Sequence, residues 1–120
     1  MEDNWDGVIS FFGTDNLEET HKFYNEILDL PLYKDQGVCR IYTVPGGGKI
    51  GFCSHMAVTH QGKSPIITLL TDDVDGVYDR LLKADYDIPE PPTENKQFKI
   101  YHFFMSDPNG YTVEIQRFLD

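Results

Sequence analysis

The chain has 120 residues, 20 acidic against 10 basic side chains, a formal net charge of −10 and an apolar share of 40%. That length suits one compact domain, and 8 Phe, 7 Tyr and 1 Trp argue against disorder, which needs low hydrophobicity as well as high net charge. A chain repelled by phosphates gains none of the counterion-release free energy behind most nucleic-acid binding, so neither nucleic acid nor an anionic membrane is expected as a partner.

No apolar run approaches the ~18 residues of a membrane span, and the start, Met1 to Asp6, is acidic rather than a basic leader region. A cytoplasmic location is expected. Cys39 and Cys53 are too few for a disulfide framework and lack metal-knuckle spacing, so they read as free thiols.

In chain order, Phe12-Gly13-Thr14-Asp15-Asn16-Leu17 is a short apolar strand running into a helix start. It is echoed 57 residues later by Leu69-Leu70-Thr71-Asp72-Asp73-Val74. Asp15 stands three residues before Glu18, and Asp72 three before Asp75, which predicts an Asp cap and a carboxylate near the positive end of each helix dipole. The first helix should run to about Leu28 and the second to about Ala84, each with one apolar face. Leu30-Pro31 and Ile88-Pro89 then stop both helical runs.

Two hairpins should follow. The first pairs Cys39 to Val44 with Lys49 to Cys53 across Pro45-Gly46-Gly47-Gly48. The second pairs Lys99 to Met105 with Tyr111 to Gln116 across Asp107-Pro108-Asn109-Gly110. Met56 to Ser64 reads as a linker, and Pro89 to Thr93 as an extended loop. Acidity is shared evenly, with 9 acids and 4 bases in residues 1–60 and 11 and 6 in residues 61–120. The expected organisation is one domain over 1–120, with a first module at about 7–55, a linker at about 56–64 and a second module at about 65–118.

Two segments resemble a known family. Phe23-Tyr24 with Ile27-Leu28-Asp29-Leu30, and Asp107-Pro108-Asn109-Gly110-Tyr111-Thr112-Val113-Glu114, are similar to motifs of the vicinal oxygen chelate superfamily. It groups glyoxalase I, fosfomycin-resistance enzymes, extradiol dioxygenases and bleomycin-resistance proteins. The resemblance spans about residues 7–118. It implies an α+β fold of two tandem βαβββ modules, a cupped mixed sheet around a cavity, and a homodimer.

Metal-dependent members take ligands from cavity-facing strand positions, two per module. Carried over, these positions fall on Ile9, Gly51, Ile66 and Glu114, of which only Glu114 can ligate. No family-type metal site and no cofactor are therefore expected. Among the histidines, His21 falls on a helix, His60 in the linker and His55 at the end of a strand, while His102 is expected to alternate away from Glu114.

With the second hairpin turning at residues 107–110, Phe103 should lie opposite Glu114 and Tyr101 opposite Gln116. Tyr101, Phe103, Met105, Thr112, Glu114 and Gln116 would then share one face. Aromatic walls, a carboxylate and an amide suit a small aromatic or cationic ligand. Alternatively, Glu114 is a buried carboxylate satisfied by a neighbouring hydroxyl such as that of Tyr101 or Thr112. From the first module, Ile9, Phe11 and Gly13 should line the cavity with Lys49, Gly51 and Cys53, Gly51 leaving room.

Two functions follow. One is a metal-free binder of a small molecule, similar to bleomycin-resistance proteins. The other is an enzyme of the same superfamily, a lyase, isomerase or dioxygenase-like protein, using Glu114 as general base or metal ligand.

Overall fold

A computed structural model describes residues 4–120. The chain divides into two compact units, one ending at Thr59 and the other spanning His60–Asp120, with the boundary inside the expected linker. Each is a βαβββ module with a four-stranded mixed sheet, so the expected fold class holds.

In the first unit, β1 (Ile9–Gly13) runs into α1 (Leu17–His21), which continues as a π-helix over Lys22–Ile27. Then come β2 (Leu32–Asp35), β3 (Cys39–Thr43) and β4 (Lys49–Cys53), giving the order β1-β4-β3-β2 with β1 parallel to β4. The wide π-turns place the consecutive rings of Phe23 and Tyr24 in the core, both fully buried. Tyr24 and Phe12 stack on Phe52, at centroid distances of 4.6 and 5.6 Å, so the helix covers the sheet face that carries Phe12 and Phe52.

The second unit repeats this with β5 (Ile66–Leu70), α2 (Val74–Lys83), β6 (Thr93–Asn95), β7 (Ile100–Ser106) and β8 (Thr112–Phe118), in the order β5-β8-β7-β6. The repeat is visible in hydrogen bonds. Thr14 and Thr71 each accept from the backbone N–H two residues on, at 3.1 Å. Asn16 and Asp73, again 57 apart, cap the helices by accepting from the N–H groups of Glu19 and Gly76. The caps thus lie one residue beyond the expected Asp15 and Asp72, because the threonines bond the backbone N–H of Asn16 and Asp73.

Three expectations are corrected. β2 and β6 are short strands that the sequence reading left out, and β2 is exposed throughout. Cys39 and Cys53 are joined as a disulfide rather than free, because the β3–β4 register sets them directly opposite, with Cα atoms 4.1 Å apart.

The third correction moves a whole face. Asp107 pairs with Tyr111 rather than Gly110: its N–H donates to the Tyr111 carbonyl at 2.9 Å, and its carboxylate accepts from the N–H groups of Asn109 and Tyr111. The loop therefore has three residues, Pro108-Asn109-Gly110, with Gly110 at φ +90°. One extra loop residue shifts the ladder by one, and in a strand that turns every side chain to the other face. Phe104, not Phe103, lies opposite Glu114, and His102, not Tyr101, lies opposite Gln116.

No helix among the described residues is long and apolar enough to cross a membrane.

Candidate functional site

In the second unit, α2 covers the face of Tyr101, Phe103, Val113 and Ile115. Tyr78 of α2 meets Phe103 edge-on at 5.4 Å, and the Tyr101 hydroxyl donates to Asp75 at 2.6 Å, a bond that raises the phenol's pKa. The opposite face carries Ile100, His102 and Phe104 of β7 with Glu114, Gln116 and Phe118 of β8. These line a pocket of about 500 Å³ together with Lys63, Asn95 and Phe98. Tyr101 and Phe103, expected as aromatic walls, therefore lie on the helix side, Phe103 in the core and Tyr101 at its partly exposed edge. Phe98, Phe104 and Phe118 supply the pocket's aromatic surface.

Glu114 sits at the centre of this face and is buried. Its Oε1 accepts from the Thr68 hydroxyl at 2.8 Å, and Thr68 stands beside it because β5 is parallel to β8 with Thr68 as its partner. Its Oε2 lies 2.6 Å from His102 Nδ1. Gln116, with its amide nitrogen turned inward as the surrounding acceptors require, donates to Oε2 at 2.9 Å and Oε1 at 3.1 Å. A carboxylate offers about four lone-pair sites, and these contacts fill them. The expected satisfaction of Glu114 by neighbours thus holds in kind but not in partners: Thr68, His102 and Gln116 serve in place of Tyr101 or Thr112.

The expectation that His102 alternates away from Glu114 is overturned by the same one-residue shift. With the carboxylate as acceptor, Nδ1 carries a proton, and in the neutral ring Nε2 then holds the lone pair. Among the described residues Nε2 has no hydrogen-bond partner. Beside it, Phe104 meets the imidazole edge-on at 5.1 Å, and Lys63 Nζ stands 4.1 Å from the centre of the Phe104 ring.

The first unit is different. Ile9, Phe11 and Gly13 pair with Lys49, Gly51 and Cys53, so these six share a face as expected. The pair Phe11–Gly51 occupies the same place in its sheet as Thr68–Glu114 does in the other. Gly51 leaves no room, however. A Cβ there would stand 2.6 Å from the Phe11 ring, which lies across the glycine. A hollow of about 240 Å³ in this unit lies instead at Val8, Ile9, Tyr33 and Lys49. Cys53 is buried and bonded to Cys39, so it offers no free thiolate in this state.

These surroundings decide what the family-type metal positions can hold. Ile9 and Ile66 offer only hydrocarbon, the space over Gly51 is filled by a phenyl ring, and the oxygens of Glu114 are engaged by three side chains. The residues do not fit a metal ion of that kind.

Two βαβββ modules with paired strands of this order define a glyoxalase-like fold. The sequence model of the Glyoxalase/Bleomycin resistance protein/Dioxygenase superfamily matches residues 9–115, and the chain belongs to that superfamily. Among solved structures, a glyoxalase/bleomycin resistance protein/dioxygenase from Nocardioides is similar with a TM-score of 0.76 at 16% identity, covering 100% of this chain and 87% of that one. A protein of the same description from Alicyclobacillus acidocaldarius gives 0.74 at 16% identity, with 100% and 96% covered. An integron cassette protein from the mobile metagenome of a Halifax Harbour sewage outfall gives 0.77 at 17%, with 92% and 97% covered. At these identities the likeness concerns the fold. A comparison with curated proteins found no match.

Proposed function

We propose that the chain binds a flat aromatic small molecule, without a family-type metal, in the pocket on the open face of the second sheet. The observation that carries this reading is the composition of that pocket: three phenylalanines and Ile100 around a floor of His102, Glu114 and Gln116. Aromatic walls with a few convergent polar groups are the usual make-up of a small-molecule site.

The aromatic half of the sequence-based expectation gains support, while the cationic half loses its anchor. Glu114 has no acceptor site left for a ligand cation, and the face of Phe104 already holds Lys63. The polar groups still available are the Lys63 ammonium and the Asn95 amide, which donate, and His102 Nε2. The two donors favour an aromatic molecule that carries a carboxylate or carbonyl oxygen. The net charge of −10 opposes an anion only weakly, since at physiological ionic strength charges beyond about 8 Å are screened and the local lysine decides.

Calorimetric titration with 2-naphthoate and with N-methylquinolinium tests this. The naphthoate should bind more tightly, and Lys63→Ala should weaken it several-fold. Equal or tighter binding of the cation would reverse the assignment.

A second reading has one observation in its favour, the short bond between Glu114 and His102. A carboxylate that fixes an imidazole tautomer and leaves Nε2 free toward a pocket is the arrangement of a general base. In this enzyme reading His102 takes the proton and Glu114 positions it, in place of Glu114 acting directly. A C–H proton beside a carbonyl would pass to Nε2 while the C–H electron pair moves onto the carbonyl oxygen. Solvent-deuterium exchange into a bound carbonyl compound, abolished by His102→Gln, would support it.

The expected homodimer belongs to this proposal. Phe11 in the first unit and Leu70 in the second, 43% and 63% exposed, are strand residues that a second copy would cover.

A further inference from the structure

We propose that Cys39, Cys53 and His55 form a redox-gated binding site for a thiophilic metal ion of the zinc class, separate from the family's metal positions and from the pocket of the second unit. Among the described residues, these three are the one group of metal-ligating side chains gathered closely enough to hold an ion, their donor atoms all lying within 4.8 Å of one another.

Strand pairing prepares the site. Cys39 and Cys53 are direct partners across β3 and β4, so both side chains leave the same face of the ladder. His55 follows Cys53 by two residues, in the turn that ends β4, and its Nδ1 lies 3.9 Å from Cys39 Sγ. Its ring is exposed, and that sulfur is its one polar neighbour among the described residues. Two thiolates and an imidazole are a donor set that zinc accepts, with a fourth position left to water.

The structure holds the oxidised state, in which the sulfurs are bonded to each other and cannot ligate. Opening that bond takes two electrons and two protons, supplied by a dithiol reductant that leaves as its own disulfide. The ion then displaces the two thiol protons: one divalent ion enters, two protons leave, and His55 contributes its neutral nitrogen. In a reducing compartment the site is open to metal; a disulfide oxidant, which takes up the two electrons and two protons and leaves as its own dithiol, re-forms the Cys39–Cys53 bond and releases the ion. The disulfide and the metal are therefore mutually exclusive clasps on the same hairpin.

The test is a cobalt(II) titration of the full chain, reduced by a phosphine under argon, followed by competition with zinc. Reduced protein should show a thiolate-to-cobalt charge-transfer band and the visible bands of tetrahedral cobalt at one ion per chain, bleached by zinc. Oxidised protein should show neither. His55→Ala, an exposed position whose change leaves the fold intact, should weaken binding beyond the ~10-fold typical of losing an outer partner. Cys39→Ser should abolish the charge-transfer band, with circular dichroism of the reduced parent and the variant confirming that both are folded. If folded, reduced protein gives no charge-transfer band, or if His55→Ala binds as tightly as the parent, the site is a disulfide alone and the proposal falls.

Discussion

Tyr42 shows how a single buried group sets a pH limit. Its phenol is held by His21 Nδ1 at 2.8 Å and is 1% exposed, and burial pushes its pKa up to about 12. A raised pKa means that the folded chain keeps this proton after the unfolded chain has lost it. The stability it contributes is full below pH 10 and lost as pH rises toward 12, on the order of 2–3 kcal/mol. Alkaline unfolding monitored by phenolate absorbance should find Tyr42 among the tyrosines that ionise late, together with loss of the fold, and Tyr42→Phe should weaken that coupling. Glu114 gives a second case. Glu114→Gln would set an amide N–H₂ against the donors of Thr68, His102 and Gln116, leaving at least one buried polar group unpaired, at about 1–3 kcal/mol. Urea unfolding should show that loss, whereas Glu94→Gln, at an exposed position, should be nearly silent.

Elements show where sequence reading succeeded and where it stopped. The 57-residue repeat, both helices and both hairpins were legible, because apolar period and Gly/Pro punctuation are local signals. The loop at 107–110 was misread by one residue, which moved Tyr101 and Phe103 to the wrong face and hid His102. The signal was there in Asp107-Pro108-Asn109-Gly110: Asp first, Pro second and Gly fourth are the preferences of a type I turn, which closes into a three-residue loop when the glycine takes positive φ. Gly110→Ala would put a Cβ at φ +90° and 2.8 Å from His60 Nε2. It should cost more than the ~1 kcal/mol expected for losing the Asn16 cap by Asn16→Ala, and thermal melts of the two variants should rank them so. The disulfide was not readable, since a first hairpin closed across residues 45–48 sets Val44 opposite Lys49 and Cys39 opposite Ser54, whereas the observed ladder pairs Thr43 with Lys49 and so Cys39 with Cys53. The small number and the spacing of the cysteines argued for free thiols instead.

At the scale of the whole chain, duplication explains both the fold and the asymmetry of function. The two βαβββ modules place Phe11–Gly51 and Thr68–Glu114 at equivalent positions. Only the second copy carries an ionisable group there, with a hydrogen-bonding shell around it. The first copy has filled the same place with a phenyl ring. Membership of the superfamily was legible from two short motifs, but the proposed pocket was not, because Lys63, Asn95 and Phe98, which help to line it, are loop and edge residues outside any motif. The total charge, from which no nucleic-acid partner is expected, is a poor guide to the proposed ligand once Lys63 and the engaged carboxylate are placed.

The central claim is that this pocket takes a flat aromatic ligand without metal. The direct measurement is amide and side-chain chemical-shift mapping of 2-naphthoate on chelator-treated, dialysed protein. The account predicts saturable shifts concentrated on Ile100, His102, Phe104, Gln116 and Lys63. Binding that appears only after a divalent ion is added back, or shifts centred on Ile9 and Gly51 instead, would contradict it.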